Sequence, residues 1–291
     1  MKTKIIVNPI SGRGKQKNIE ELLYKYLDKR KFEFDISFTQ KHLHAKEIAK
    51  QAVKDSYKIV IVVGGDGTVN EVASELIDTN LILAILPAGS GNGLALHLGM
   101  KRNLRKSILQ LNNAKTHLID SAIANSMPFF NVSGIGFDAH IANLFSNLKS
   151  RGFSNYIKLI AKEIFYKAKQ YTICYEGKEK ELEAVLISFA NASQYGNNFR
   201  IAPKANIKDG KLDFVIVKDM PRWKIPLFLF KIARGKIEQS EYVSIVQSEE
   251  MKIKSSDSII HLDGEPKNID GTLEVKVKQN SLNILIPNGK K

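Results

Sequence analysis

A glycine-rich segment near position 65 carries residue types that suit phosphate chemistry. Gly64, Gly65, Asp66, Gly67 and Thr68 directly follow the apolar run at residues 59–63, and apolar residues then recur from Val69 to Ile77 with the spacing of one helical face. Glycines let the backbone approach a ligand closely, and N–H groups at the start of a helix favour an anion. Asp66 offers a carboxylate for a magnesium ion that bridges phosphates. The segment therefore predicts phosphate binding, with a plain tight turn as the alternative.

Two further loops place glycine and hydroxyl groups directly after apolar runs. Residues 8–15 include Asn8, Pro9, Ser11, Gly12, Arg13 and Lys15, and residues 87–93 include Gly89, Ser90 and Asn92. Arg13 and Lys15 would add positive charge for phosphates, although the segment does not fit the Walker pattern. Loops that follow parallel strands lie together at the carboxyl ends of the strands, where α/β sheets bind ligands. The three loops together predict a single phosphate-binding site.

The elements that must position these loops alternate in type over the first 120 residues. Buried strands are predicted at residues 4–7, 34–38, 59–63 and 81–86, and helices at 17–29, 42–54, 68–77 and 104–111. This alternation favours βαβ units and a parallel α/β sheet.

The pattern changes after about residue 120, where strand-like stretches dominate. They lie at residues 129–133, 171–175, 184–190, 212–217, 251–254, 259–262, 273–277 and 282–286, and helical patterns interrupt them near 153–168 and 222–233. This half is expected to be antiparallel, a sandwich or a barrel. We predict two closely packed domains, residues 1–122 and 123–291, with the cleft between them as the default site.

The overall charge and composition limit the classes of partner and environment. The chain has 291 residues, with 44 Lys plus Arg against 30 Asp plus Glu, a net charge of +14 that calls for anionic partners. Its apolar runs are far shorter than the roughly 18 residues that a membrane span needs, and the first residues lack the apolar region of a secretory signal. The lone cysteine, Cys174, excludes an internal disulfide and a multi-cysteine zinc site. A cytoplasmic protein is expected.

The loop motifs resemble those of the diacylglycerol, sphingosine and ceramide kinase superfamily of lipid kinases. The resemblance rests on GGDGT-x-N-E at residues 64–71, NPxSG at 8–12, PAGSGN at 87–92, NVSGIGFDA at 131–139 and LDGE at 262–265, and it covers essentially the whole chain. It implies an α/β fold: an N-terminal three-layer α/β nucleotide-binding domain, followed by a mostly antiparallel β-sandwich domain that binds lipid. The third loop is more similar to sphingosine kinases than to bacterial diacylglycerol kinases, which leaves the lipid acceptor open.

The resemblance also implies roles for individual residues. Contacts to ATP would come from Asn8, Pro9, Ser11, Gly12, Arg13, Thr39, Gly64, Gly65, Asp66, Gly67, Thr68, Asn70, Glu71, Gly89, Ser90 and Asn92. Glu265 would be the general base, with Asp66 and Asp263 as further catalytic residues. A structural Mg²⁺ would bind the side chain of Asp209 and the carbonyls of Asn206 and Lys211.

The predicted reaction is transfer of the γ-phosphate of Mg-ATP to a hydroxyl of a diacylglycerol or sphingoid-type lipid. It needs positioning, neutralisation of charge by a metal, and a group such as Glu265 that accepts the hydroxyl proton. Without the other motifs, Glu265 before Pro266 would be interpreted as a solvated turn acid. The alternatives are a NAD kinase-like enzyme, which shares GGDGT, and a non-catalytic nucleotide or lipid sensor, which would be expected to lack Asp66 or Glu265. Nucleic-acid binding is not expected, because the sequence shows no zinc finger and no concentrated basic arm.

Two segments of the second half are both basic and amphipathic. Residues 153–169 and residues 222–236, the latter with Trp223, would either cover the core or dock on an anionic membrane. The six histidines are interpreted as surface residues rather than zinc ligands. The expected partners are ATP and a lipid at the inner membrane face, reached transiently. The sequence leaves open whether the chain forms a homodimer.

Overall fold

The chain divides into two units, and each contains β-sheets with buried apolar strands. The computed structural model describes residues 1–13, 16, 18–148 and 153–288. One unit comprises Met1–Ile119 with Asn280–Lys291, and the other comprises Asp120–Gln279. This division differs from the predicted ranges, 1–122 and 123–291, because the final strand pairs Asn283 and Ile284 with Ile82 and Leu83 in the sheet of the first unit.

The first unit is a parallel sheet whose strands alternate with helices, as the sequence predicts. The strand order is β2–β1–β3–β4, followed by the last residues of β16, and all the pairings are parallel. Its elements are β1 Lys2–Val7, α1 Ile19–Tyr26, β2 Glu33–Phe38, α2 His44–Lys54, β3 Ile59–Gly64, α3 Asp66–Leu76, β4 Ile82–Pro87, α4 Gly93–His97 and α5 Leu104–Leu111. Every residue of β3 is buried, as expected for a central strand covered on both faces.

The second unit consists of two sheets. One follows the order β16–β13–β8–β9, with β5 and β6 joined at β16, and the other is antiparallel with the order β12–β11–β10–β7–β14–β15. The elements are β5 Lys115–Ala124, β6 Met127–Phe129, β7 Val132–Gly136, α6 Phe137–Ser146, α7 Phe153–Lys162, β8 Lys169–Tyr175, β9 Lys178–Ala184, β10 Leu186–Ala190, β11 Leu212–Val217, α8 Ile225–Arg234, β12 Val243–Ser248, β13 Glu250–Lys254, β14 Ile259–Leu262, β15 Glu265–Asn268 and β16 Leu273–Ile286. The strands β5 and β16 each continue across the division between the units.

Residues from both sheets of the second unit form a common apolar core. Phe129 of β6 and Phe189 of β10 contact each other edge to face, with ring centroids 5.5 Å apart, and Met251 of β13 belongs to the same cluster. Two sheets that bury their facing side chains in this way form a sandwich. Of the two antiparallel architectures that the sequence left open, the structure therefore has the sandwich.

Several elements differ from the sequence predictions. The strand β9 has the sequence KEKELEA, which carries no alternating apolar signal because β9 is an edge strand with largely exposed side chains. The helix α6 lies where only a glycine motif was noted, and α7 ends at Lys162 rather than near 168. The two strands predicted at 273–277 and 282–286 are one strand, β16.

The helix α8 combines a buried face with an exposed one. Ile232 packs into a core cluster with Val215 of β11, and Phe228 and Leu229 pack against that cluster. Leu227 and Phe230 of α8 are each 55% exposed, and Trp223, in the 3-10 turn at Arg222–Lys224 just before the helix, is 76% exposed. Among the residues that the structure describes, no helix is long and apolar enough to cross a bilayer.

Candidate active site

Three loops meet at the carboxyl ends of β1, β3 and β4. The amide of Asn8 donates to the carbonyl of Val63 at 2.9 Å, and the Asn8 side chain donates to Thr68 Oγ1 at 2.9 Å. The carbonyl of Gly64 accepts the amides of Ala88 and Gly89, at 2.9 and 3.1 Å. The structure thus brings together the three segments that the sequence singled out.

Glycine is required where these loops approach one another. Gly12 has a φ of 55°, and a Cβ atom there would lie 1.8 Å from the carbonyl oxygen of Ala88. A Cβ atom on Gly89 would lie 2.4 Å from the Cα of Gly65. Any side chain at these positions would push the loops apart, so the close packing of backbone explains the glycines without reference to a ligand.

The carboxylate of Asp66 holds the third loop in place. Its Oδ2 accepts the amide of Asn92 and its Oδ1 accepts the amide of Gly93, both at 2.7 Å. Asn92 has a φ of 57°, and its side chain bonds both the amide and the carbonyl of Gly89 at 2.8 Å. The Asp66 carboxylate thus fixes two successive amides of the third loop.

The remaining residues assigned to ATP surround these loops. The amide of Thr39, just after β2, donates to the carbonyl of Val7 at 2.9 Å, so Thr39 lies beside the end of β1. Glu71 of α3 accepts the amide of Leu43 at 3.3 Å and lies 3.7 Å from His42 Nδ1. These two contacts link α3 to the start of α2. Pro9 and Ser90 are exposed, and the carbonyl of Asn70 accepts the Ser74 hydroxyl. The Arg13 side chain and Lys15 lie outside the described residues.

One buried glutamine in the first loop was not found by sequence analysis. Gln16 is buried, and its amide nitrogen donates to the carbonyl of Asn8 and to Ser11 Oγ, at 3.3 Å for the latter. Its Oε1 is buried without a hydrogen-bond partner among the described residues. No motif marked Gln16, because its role depends on how the chain folds back onto Asn8.

The predicted base belongs to a two-residue hairpin in the second unit. Asp263 and Gly264 have φ values of 50° and 89° and connect β14 to β15, as Asp-Gly does in the tightest hairpins. The carboxylate of Asp263 accepts the amides of Phe130 and Asn131, at 3.0 and 2.9 Å. Glu265 begins β15, and its side chain is 39% exposed, with Lys267 Nζ 3.6 Å from its carboxylate. The Asp263 carboxylate thus fixes the turn, while that of Glu265 reaches solvent.

The predicted metal loop is a compact turn rich in oxygen atoms. The amide of Gly210 donates to Asp120 Oδ2 at 2.8 Å, and Asp209 Oδ1 accepts the amide of Lys211 at 3.1 Å. Burial raises the pKa of Asp213, and the charge of Asp209 raises it further. Carboxylate and carbonyl oxygens are the ligands that suit Mg²⁺. The residues present therefore fit the implied ion, which Asp209 and the carbonyls of Asn206 and Lys211 would hold.

A buried polar cluster behind the hairpin was also missed by sequence analysis. It consists of the buried residues Asp138, Ser188 and His261 together with the partly buried Tyr195. His261 is 2% exposed, so its interpretation as a surface residue was wrong: it lies on β14, on which α6 packs. Burial, together with the charge of Asp138, raises the pKa of Tyr195 well above its usual value, so its hydroxyl remains a donor. Asp138 belongs to the NVSGIGFDA motif, but only the fold reveals its neighbours.

The fold and the loops define a kinase built from an α/β domain and a β-sandwich domain. The family model for the diacylglycerol kinase catalytic domain matches residues 2–124, and that for the YegS C-terminal NAD kinase beta sandwich-like domain matches residues 131–286. The chain therefore belongs to the diacylglycerol kinase family of lipid kinases. The predicted family, fold class and enzyme class are confirmed.

Named relatives and a solved structure agree with this assignment. The chain is 26% identical to a diacylglycerol kinase of Bacillus subtilis, over 91% of this chain and 89% of that protein. It is 25% identical to a diacylglycerol kinase of Staphylococcus carnosus, over 97% of this chain and 92% of the relative. A crystal structure of a diacylglycerol kinase from Bacillus anthracis covers 99% of this chain and 97% of its own, with a TM-score of 0.77 and 24% identity. That structural likeness supports the fold.

Proposed function

We propose that this protein transfers the γ-phosphate of ATP to a hydroxyl group of a diacylglycerol or sphingoid-type lipid. The observation that carries the proposal is the meeting of three glycine-bearing loops at the carboxyl ends of β1, β3 and β4, where Asn8 bonds Thr68 and Gly64 bonds Ala88. Loops at this edge of a parallel sheet bind phosphates through backbone N–H groups.

In this proposal the first unit binds the nucleotide. Ser11, Thr39 and Ser90 would offer hydroxyl groups to the nucleotide, and N–H groups at the start of α3 would favour its phosphates. Asp66 holds the third loop in position. It would also help to hold Mg²⁺, which when bound neutralises charge on the phosphates.

Glu265 is proposed as the general base. Its carboxylate is half-exposed beside Lys267, so it can form a hydrogen bond to an incoming hydroxyl group. The proton of that hydroxyl passes to Glu265, a bond forms between the lipid oxygen and the γ-phosphorus, and the bond from the γ-phosphorus to the bridging oxygen breaks, releasing ADP.

We further propose that α8 brings the enzyme to an anionic membrane. Trp223, Leu227 and Phe230 follow each other at helical spacings of four and three residues and are exposed together. Four basic residues flank this stripe in the sequence, Arg222, Lys224, Lys231 and Arg234, and the first two of them form ion pairs with Asp219 and Glu241. An exposed apolar stripe flanked by basic residues is the composition of interfacial helices.

The activity is tested with labelled ATP, Mg²⁺ and a panel of possible acceptors. Diacylglycerol, monoacylglycerol, sphingoid base and ceramide are presented separately in anionic micelles, with NAD in a parallel reaction. We expect label in at least one lipid and none in NAD. Phosphorylation of NAD alone would identify a NAD kinase-like enzyme, and ATP binding without transfer to any acceptor would identify a sensor.

The base is tested by Glu265→Gln, which keeps the size of the side chain but removes its proton affinity. We expect turnover to fall by a factor of about 10² or more, the range over which general bases contribute, while the Kd for ATP is unchanged. The matched control is Glu274→Gln, because Glu274 is also a half-exposed glutamate beside a lysine, Lys252 at 3.5 Å. Equal turnover in the two variants would contradict the base assignment.

The metal loop is tested by the effect of Mg²⁺ on stability. A ligand that binds only the folded state raises the Tm, so Mg²⁺ should raise the Tm of the unaltered protein and not that of Asp209→Asn. The control is Asp270→Asn, which changes an exposed aspartate of the same unit. A Mg²⁺ response that survives in Asp209→Asn would place the ion elsewhere.

A further inference from the structure

The hairpin that carries Glu265 is held from behind by a buried histidine. The amide of Gly264 donates to His261 Nδ1 at 3.2 Å, and the amide of Asp263 donates to Ser133 Oγ at 3.2 Å. Gly264 immediately precedes Glu265, so the position of the Glu265 backbone depends on that contact with the histidine.

The contact with Gly264 fixes which nitrogen of the histidine carries the proton. Because Nδ1 accepts the Gly264 amide, Nδ1 must be unprotonated, and the proton of the ring lies on Nε2. Nε2 lies 3.1 Å from Asp138 Oδ2, at an angle outside that of a hydrogen bond, so the attraction between them is mainly electrostatic. The carboxylate still favours the tautomer with its proton on the facing nitrogen.

Asp138 is itself held firmly inside the second unit. Its Oδ1 accepts the amide of Ala139 at 2.9 Å, and its Oδ2 accepts the hydroxyls of Ser188 and Tyr195, at 2.9 and 3.1 Å. A Cβ atom at Gly134 would lie 2.2 Å from Oδ2, so the motif glycine makes room for this carboxylate. A buried carboxylate with several donors is a rigid reference point for the histidine ring.

We propose that Asp138 and His261 are a positioning pair for the general base, with Asp138 selecting the tautomer of His261 that accepts the Gly264 amide and thereby sets the position of Glu265. This inference rests on the proposed role of Glu265. A purely apolar core at this place would avoid the free-energy cost of burying polar groups, which is large unless they are hydrogen-bonded. The pair acts on the hairpin because His261 accepts the amide of Gly264, the residue that precedes Glu265.

Two replacements of His261 separate the acceptor from the rest of the ring. In His261→Asn the amide oxygen lies near the position of Nδ1 and can still accept the Gly264 amide, whereas in His261→Gln the amide reaches the position of Nε2 instead. Turnover is measured per folded molecule, with the lipid that the acceptor panel identifies. We expect kcat to fall about tenfold in His261→Gln, as for loss of one hydrogen bond, and less than about threefold in His261→Asn, with the KM for ATP unchanged in both. His140→Asn, a histidine replacement on α6, is the control and should retain full turnover.

A double-mutant cycle shows whether His261 acts through Glu265. If it does, His261→Gln causes no further loss of residual turnover in a Glu265→Gln background, because residues that act as a unit are not additive. A loss of equal size in both backgrounds, or equal turnover of His261→Asn and His261→Gln, would overturn the proposal. Full activity of Glu265→Gln would instead overturn the proposed role of Glu265 as the base, on which this inference rests. The two failures are therefore distinguishable.

The tautomer provides a readout that requires no lipid and no change of His261. The ¹⁵N spectrum of the ring should show the proton on Nε2 in the unaltered protein. In Asp138→Asn, which keeps the shape of the side chain but not its charge, we expect the proton to move toward Nδ1 and kcat to fall with it. A proton on Nδ1 in the unaltered protein, or an unchanged spectrum and kcat in Asp138→Asn, would contradict the inference.

Discussion

Two acidic residues of the sequence motifs, Asp66 and Asp263, each accept backbone amides at both carboxylate oxygens. Asp66 accepts the amides of Asn92 and Gly93, and Asp263 accepts those of Phe130 and Asn131. A carboxylate that accepts two N–H groups fixes a loop more firmly than a neutral acceptor does. At the scale of single residues, these acids therefore shape the loops that carry the proposed chemistry.

Replacing Asp263 by asparagine tests this shaping role. Asparagine tolerates the positive φ at this position but offers a single oxygen, so one of the two amides loses its acceptor. We expect the free energy of unfolding of Asp263→Asn to fall by about 1–3 kcal/mol, measured by urea denaturation, together with a loss of turnover. Asp270→Asn, at an exposed position nearby in sequence, should change neither quantity. Unchanged stability in Asp263→Asn would show that the two contacts are dispensable.

The functional groups around the candidate site lie at the ends of strands and helices. The strands β1, β3 and β4 end together because they are parallel neighbours in register, so the loops that follow them converge. Gly12 and Gly89 then allow backbone contacts that no side chain would permit. In the second unit, the tight turn between β14 and β15 places Glu265 at the first residue of a strand.

The contact between the first and third loops is tested by Gly12→Ala. The added methyl group would overlap the carbonyl of Ala88, so the loops must separate, and we expect the affinity for ATP to fall by about tenfold or more, equal to about 1.4 kcal/mol. Gly177→Ala is a matched control, since Gly177 also has a positive φ, of 72°, but has no atom within 4 Å of the added methyl group. Equal ATP affinity in the two variants would show that the contact between the two loops is not needed for ATP binding.

For the whole molecule, the net charge of +14 and the exposed stripe of α8 favour an anionic surface as a partner. The stripe is the face of α8 opposite to Ile232, so the same helix covers the core and exposes apolar side chains. Trp223 is the only tryptophan and lies at one end of the stripe, which makes its fluorescence a specific reporter.

Binding to anionic vesicles should shift the emission of Trp223 to shorter wavelength. The shift should weaken as salt rises, because the Debye length falls from about 8 Å at physiological ionic strength to about 3 Å at 1 M. Leu227→Ser should weaken binding, whereas Leu109→Ser, a change at an exposed leucine on α5 of the first unit, should not. Lipid phosphorylation without any shift of Trp223 would show that another surface meets the membrane.

The sequence by itself determined the family, the fold class and the three loops. These features are local or periodic: glycine motifs follow strands, apolar spacing identifies α3, and Asp-Gly indicates the β14–β15 turn. The sequence did not reveal β9, whose charged residues carry no apolar alternation at the sheet edge.

Only the tertiary structure decided what several of these residues contact. Asp66 and Asn92 are separated by 26 positions, and His261 and Asp138 by more than a hundred, so no sequence spacing connects them. The return of β16 to the first sheet is likewise a pairing between distant segments. Local patterns specify elements because neighbouring residues set backbone geometry and periodicity, whereas contacts such as these form only when the packed elements bring distant side chains together.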